Sequence, residues 1–134
     1  MANFKLRVVT PDRIFYDGEA TFLLVRTTGG DVGILANHAR YVTLLDIGTL
    51  KIRTEEGERL AAVAGGFLKT GNNVTTIVTP ACEWADEIDV DRAQKAADRA
   101  KERLLRQQSK REQDMEEIKL KTALNRISVA RKLQ

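Results

Sequence analysis

At 134 residues and 15.0 kDa the chain is long enough to bury one core, or two small ones, and too short for a multidomain enzyme. With 43% hydrophobic and 31% charged residues it is neither a disordered tail nor a membrane span, and its longest uncharged stretch, Thr70 to Cys82, falls short of the roughly 20 apolar residues a spanning helix needs. The net charge of +3 conceals a division: residues 1–91 carry 9 Lys+Arg against 13 Asp+Glu, net −4, whereas residues 92–134 carry 13 against 6, net +7.

The N-terminus, Met1 to Arg7, alternates charge with apolar residues and does not read as a secretory signal, so the mature chain is expected to begin here. Phe4, Leu6 and Val8 alternate with Lys5 and Arg7, and Leu50 and Ile52 alternate with Lys51 and Arg53, the period of strands with one buried face. Turn signals recur at Pro11-Asp12, Asp17-Gly18, Gly29-Gly30, Glu56-Gly57 and Gly71-Asn72-Asn73, and all nine glycines lie before residue 72. Phe22 to Val25 and Leu60 to Phe67 suit inner strands, and β-branched Val74 to Val78 a last strand. Residues 1–84 are therefore predicted to form an antiparallel β-sandwich.

After Pro80 the chain turns to Ala, Arg, Lys, Glu, Gln and Leu with no further Gly or Pro, a helix-forming composition. Ala93, Ala96, Ala97, Ala100 and Leu104 mark one apolar stripe, and Ile118, Ala123, Leu124, Ile127 and Ala130 a second, separated by the polar run Gln107 to Glu112. An antiparallel two-helix hairpin over residues 85–134 accounts for this more simply than one continuous helix, which remains open. The fold class is thus α+β, sandwich then hairpin. An alanine seam buries little area, so the hairpin is expected to lean on the sandwich, a partner or a ligand.

No phosphate loop, nucleophile elbow or H-E-x-x-H sequence is present, and no catalytic residues are predicted. The single Cys82 excludes an internal disulfide and fits a reducing compartment; the single His38 excludes a multi-histidine metal site and reads as a turn or interface residue. Asp89 is a natural N-cap, with Ile88 and Ala93 at the positions of a hydrophobic staple. Arg92 fits poorly there, since it places a cation at the positive end of the helix dipole. Arg99 follows seven residues later on the same face, within roughly 20° and about 10.5 Å further along. If the hairpin turns near residues 109–110, facing residue numbers sum to about 219 and Arg126 comes level with Ala93 and Arg92. Such a cluster, beside Asp89 and Glu83, suits a polyphosphate. A solvated cationic face is the simpler reading from spacing alone.

These residues, taken together, identify a resemblance. Val8-Val9-Thr10-Pro11-Asp12, Gly33 to His38, Val63 to Leu68, Ile88-Asp89-Val90-Asp91-Arg92-Ala93 and Leu124 to Ala130 resemble the ε subunit family of bacterial F-type ATP synthases over essentially the whole chain. The resemblance implies a non-catalytic, regulatory subunit of the rotating central stalk, peripheral to the cytoplasmic face of the cell membrane. Its sandwich would hold the γ subunit and the c-ring, with His38 at that interface. Its C-terminal helices would either fold up or extend to the β subunits of the catalytic head and inhibit ATP hydrolysis. It further implies ATP as a regulatory ligand, with or without magnesium, at Glu83, Ile88, Asp89, Arg92, Ala93, Arg99 and Arg126. Thr122 departs from relatives with another basic residue there, and Ala36 and Arg40 stand where the histidine turn often has proline.

Two other functional classes fit the residues less well. A nucleic-acid-binding module would use the basic helices, but these lack aromatic residues for stacking and the acidic first part would repel a phosphate backbone. A self-associating coiled coil would need a heptad seam sustained over three or four heptads, which the polar run interrupts.

Overall fold

The computed structural model describes residues 2–106 and 109–132. The chain divides into two compact units, Met1–Trp84 and Ala85–Gln134. The first contains eight strands: β1 (Phe4–Val9), β2 (Ile14–Ala20), β3 (Phe22–Thr27), β4 (Gly30–Leu35), β5 (Tyr41–Thr54), β6 (Gly57–Gly71), β7 (Val74–Val78) and β8 (Cys82–Trp84). The second holds a 3-10 turn (Ala85–Glu87) and the helices α1 (Val90–Leu104) and α2 (Lys110–Arg131). Neither helix is long and apolar enough to cross a membrane.

The long hairpin β5–β6 organises the sandwich. Its register runs from Thr54 opposite Gly57 to Tyr41 opposite Thr70. The half near Thr54 pairs with β3, which pairs with β4, and with β8. The opposite half pairs with β7, then β1, then β2. One continuous ladder thus supplies both layers. Gly66 lies between the halves at φ +101°, and a Cβ there would fall 2.0 Å from the Val78 carbonyl oxygen, so only glycine lets β6 pass the end of β7.

Alternation decides which face is buried. In β1, Phe4, Leu6 and Val8 point inward while Lys5 and Arg7 are exposed. Leu23, Val25, Ile34, Leu50, Ile52, Leu68 and Ile77 join them in the core. At its edge Trp84 stacks on Phe15 at 4.4 Å between ring centroids and is capped by Arg59, whose guanidinium lies 3.7 Å from the indole centroid.

The β-sandwich and the two helices are as read from sequence, with refinements. One pair, β1–β7, is parallel, because the chain crosses to the second layer before β7 returns beside β1. Val74–Val78 is not the last strand: β8 follows, too short at three residues to show a period. On α2, Ile118 and Leu124 are exposed, whereas Glu116 and Val129 are buried. Ile118 and Leu124 lie about 140° and 100° around the helix from Ala123, while Glu116, one heptad before Ala123, falls within about 20° of it. Gln107 and Gln108 of the polar run lie outside the described residues.

Candidate functional site

The hairpin is built from two capped helices. Asp89 caps α1: its carboxylate accepts from the Arg92 backbone N–H at 3.0 Å, and Asp91 adds negative charge in the first turn. Ile88 and Ala93, on either side of the cap, are both buried. Ser109 caps α2, accepting from the Glu112 backbone N–H at 3.2 Å. Ser109-x-x-Glu112 is the sequence of a capping box, a start signal that sits inside the polar run.

Ala93, Ala97 and Ala100 of α1 are buried together with Ala123, Ile127 and Ala130 of α2. Where most of the seam is alanine, two helices leave room at their surface. A groove of about 340 Å³ opens there, lined by Ala96, Ala100, Ala123, Ile118 and Thr122 together with Arg99, Arg103, Lys119, Arg126 and Glu116. Its volume lies at the lower end of the range for small-molecule sites. Methyl groups from both helices and four cations therefore line one concavity, a combination suited to a ligand with a flat apolar part and an anionic part.

One carboxylate lies among these cations. Glu116 Oε1 stands 3.5 Å from Arg103 Nη1 on the opposite helix and 3.4 Å from Lys119 Nζ one turn along its own. Glu116 is 8% exposed, and its second oxygen, Oε2, is buried without a hydrogen-bond partner. The neutral Thr122 hydroxyl, which also lines the groove, donates to the Ile118 carbonyl at 2.9 Å.

The sandwich carries a second surface feature. Leu44, Phe67 and Val78 are register partners across β5, β6 and β7, so their side chains share one face. All three are exposed, as is Val42 two residues before Leu44. Contiguous apolar side chains on an outer sheet face mark an interaction surface more often than chance exposure. His38, in the loop before β5, places Nδ1 2.7 Å from the Ala39 carbonyl and its ring 6.0 Å from Tyr41. The Asn73 side chain steadies this loop, accepting from the Asn37 N–H at 2.8 Å.

Both units match the same family. Residues 3–85 fit the ATP synthase delta/epsilon chain β-sandwich domain and residues 86–131 its long α-helix domain. The chain belongs to the ATP synthase delta/epsilon chain family. Family members named ATP synthase epsilon chain include one from Ruminococcus albus, 47% identical with 98% of this chain and 99% of that one aligned, and one from Alkaliphilus metalliredigens, 43% identical with 97% of each aligned. A relative from Propionigenium modestum, 37% identical over 97% of this chain and 95% of its own, is described as sodium ion specific. The fold is also that of a chain in the Euglena gracilis mitochondrial ATP synthase, at TM-score 0.81 and 24% identity over 93% of this chain and 79% of that one.

Within this family member, the residues expected from sequence to bind ATP separate into three places. Arg99 and Arg126 line the groove. Ile88, Asp89 and Ala93 form the start of α1; Arg92, at the third helical position, is exposed and is not among the groove-lining residues. Glu83 lies on β8 opposite Ala62, in the sandwich unit. Arg103, Glu116 and Lys119 were not singled out, although the register sum of 219 puts Arg103 opposite Glu116.

Proposed function

We propose that this chain is a non-catalytic central-stalk subunit of a rotary ATP synthase, peripheral to the membrane, whose sandwich docks and whose hairpin senses ATP. The outer ladder Leu44–Phe67–Val78 supplies the apolar docking face for the γ subunit, with the His38 loop at the γ or c-ring interface. The hairpin groove takes ATP. Its alanine floor suits the base, and Arg99 and Arg126 suit the phosphates through charge-assisted contacts. Asp89 contributes by starting α1, which fixes where Arg99 stands.

The observation that carries this reading is the groove itself: arginines from both helices over a seam rich in alanine, in a helical hairpin whose residues 92–134 carry a net +7. Such a hairpin is weakly held by apolar burial and repels itself electrostatically, so a bound anion favours the folded form. Without it, the released cationic helices suit the acidic surfaces of the β subunits and block hydrolysis there. A change from 1:99 to 99:1 in favour of the folded form requires roughly 5.5 kcal/mol of differential affinity.

Removing residues 88–134 tests the inhibitory role. ATP hydrolysis by the assembled enzyme should rise while proton pumping stays coupled. Unchanged hydrolysis would show that the hairpin does not inhibit.

A further inference from the structure

We propose that Glu116 is an internal anion that competes with an external polyphosphate for Arg103 and Lys119, so that the charge at position 116 sets the groove's ligand affinity. This rests on the reading of the groove as a polyphosphate site.

Three observations carry it. Among the described residues Glu116 is the one acidic side chain lining the groove, and the other charged side chains there, Arg99, Arg103, Lys119 and Arg126, are all cations. Its Oε1 is shared between Arg103 on α1 and Lys119 on α2, so one oxygen ties the two helices together. Its Oε2 is buried and unpartnered. A carboxylate buried with half of its hydrogen-bonding capacity unused is a costly group to place beside an otherwise apolar seam. What offsets that cost is its charge among cations, the role a phosphate would take. The two anions are therefore alternatives: a phosphate entering the groove meets a cation set already partly neutralised and a carboxylate that repels it.

The consequences run in opposite directions for the empty and the occupied groove. Neutralising Glu116 leaves Arg103 and Lys119 without the carboxylate charge between them, which loosens the ligand-free hairpin. The same change releases Arg103 and Lys119 to an incoming anion and removes the repulsion. Charges about 4–6 Å apart in a partly screened groove interact strongly enough to change affinity by roughly tenfold or more.

The test uses the full chain, its Glu116→Gln variant, and the charge exchange Arg103→Glu with Glu116→Arg, which keeps the bridging pair and the groove's net charge. Ligand-free amide exchange over α1 and α2 should quicken in Glu116→Gln and return toward the unaltered rate in the exchange variant. Calorimetric titration with inorganic tripolyphosphate should show Glu116→Gln binding roughly tenfold more tightly than the unaltered chain. Unchanged ligand-free exchange in Glu116→Gln overturns the internal-anion role whatever tripolyphosphate does. Equal or weaker tripolyphosphate binding by that variant, with the unaltered chain binding, overturns the competition and leaves the groove reading standing. Binding by neither chain overturns the groove reading and the competition with it.

Discussion

Arg103 on α1 and Glu116 on α2 meet at 3.5 Å across the hairpin. That pair marks the register of the two helices: counted from it, Ala96 comes level with Ala123, and Arg126 with Ala93. The same register delivers Arg99 and Arg126 to one groove.

If those two arginines hold phosphates, truncating either removes a charge-assisted contact. Arg99→Ala and Arg126→Ala are each expected to weaken ATP binding by about 2 kcal/mol, roughly thirtyfold, in calorimetric titration of the full chain. Arg92→Ala, at a position outside the groove lining, is expected to change affinity less than either.

The two caps make a separable pair. Asp89→Ala and Ser109→Ala each leave a helix N-terminus without its acceptor and are expected to cost about 1 kcal/mol. Amide exchange should quicken in the first turn of α1 for one and of α2 for the other, with β1 through β8 unchanged.

Phe67 is 42% exposed and Leu44 64%, so neither is required by the sandwich core. Leu44→Ser with Phe67→Ser is expected to change the sandwich's stability by about 1 kcal/mol or less. The same double variant should lose capture by the γ subunit, measured by co-purification with it.

Cys82 supplies a pH prediction. Burial first of all pushes its thiol from an ordinary 9.0 up to about 12, with the Arg13 charge opposing the rise and the Glu83 charge adding to it. Between those values the unfolded chain releases the proton while the folded chain keeps it, so stability is fully present below pH 9 and falls as pH rises toward 12, by up to about 1.4 kcal/mol per pH unit. Urea titrations at pH 8 to 10.5 should show this extra slope in the unaltered chain and lose it in Cys82→Ala.

Gly66→Ala would press a methyl group onto the Val78 carbonyl at a backbone angle that L-residues rarely adopt. A loss of about 3 kcal/mol or more in urea unfolding of the full chain is expected.

What could be read from the residues follows from how local each signal is. Alternation in Phe4 to Val8, turn chemistry at Glu56-Gly57 and the loss of glycine after residue 72 are local, and they specify strands, turns and helices. The parallel β1–β7 pair is not local: it depends on where the β5–β6 hairpin sends the chain. β8 is held by its register with Ala61 to Val63, and three residues carry no period of their own. In the hairpin, Arg99 and Arg126 stood out by charge on an apolar seam. Glu116 did not, because a glutamate on a charged helix resembles any solvated one until the facing helix places Arg103 against it. Ser109-x-x-Glu112 was available as a start signal for α2 and was submerged in a run of polar residues.

On the function proposed above, ATP binds the folded hairpin. Hydrogen–deuterium exchange of the isolated full chain, with and without ATP, tests it most directly. The expected result is slower exchange across Val90–Leu104 and Lys110–Arg131 on adding ATP, with β1 through β8 unaffected and the protection reduced in Arg126→Ala. Identical exchange in both helices at saturating ATP would contradict it.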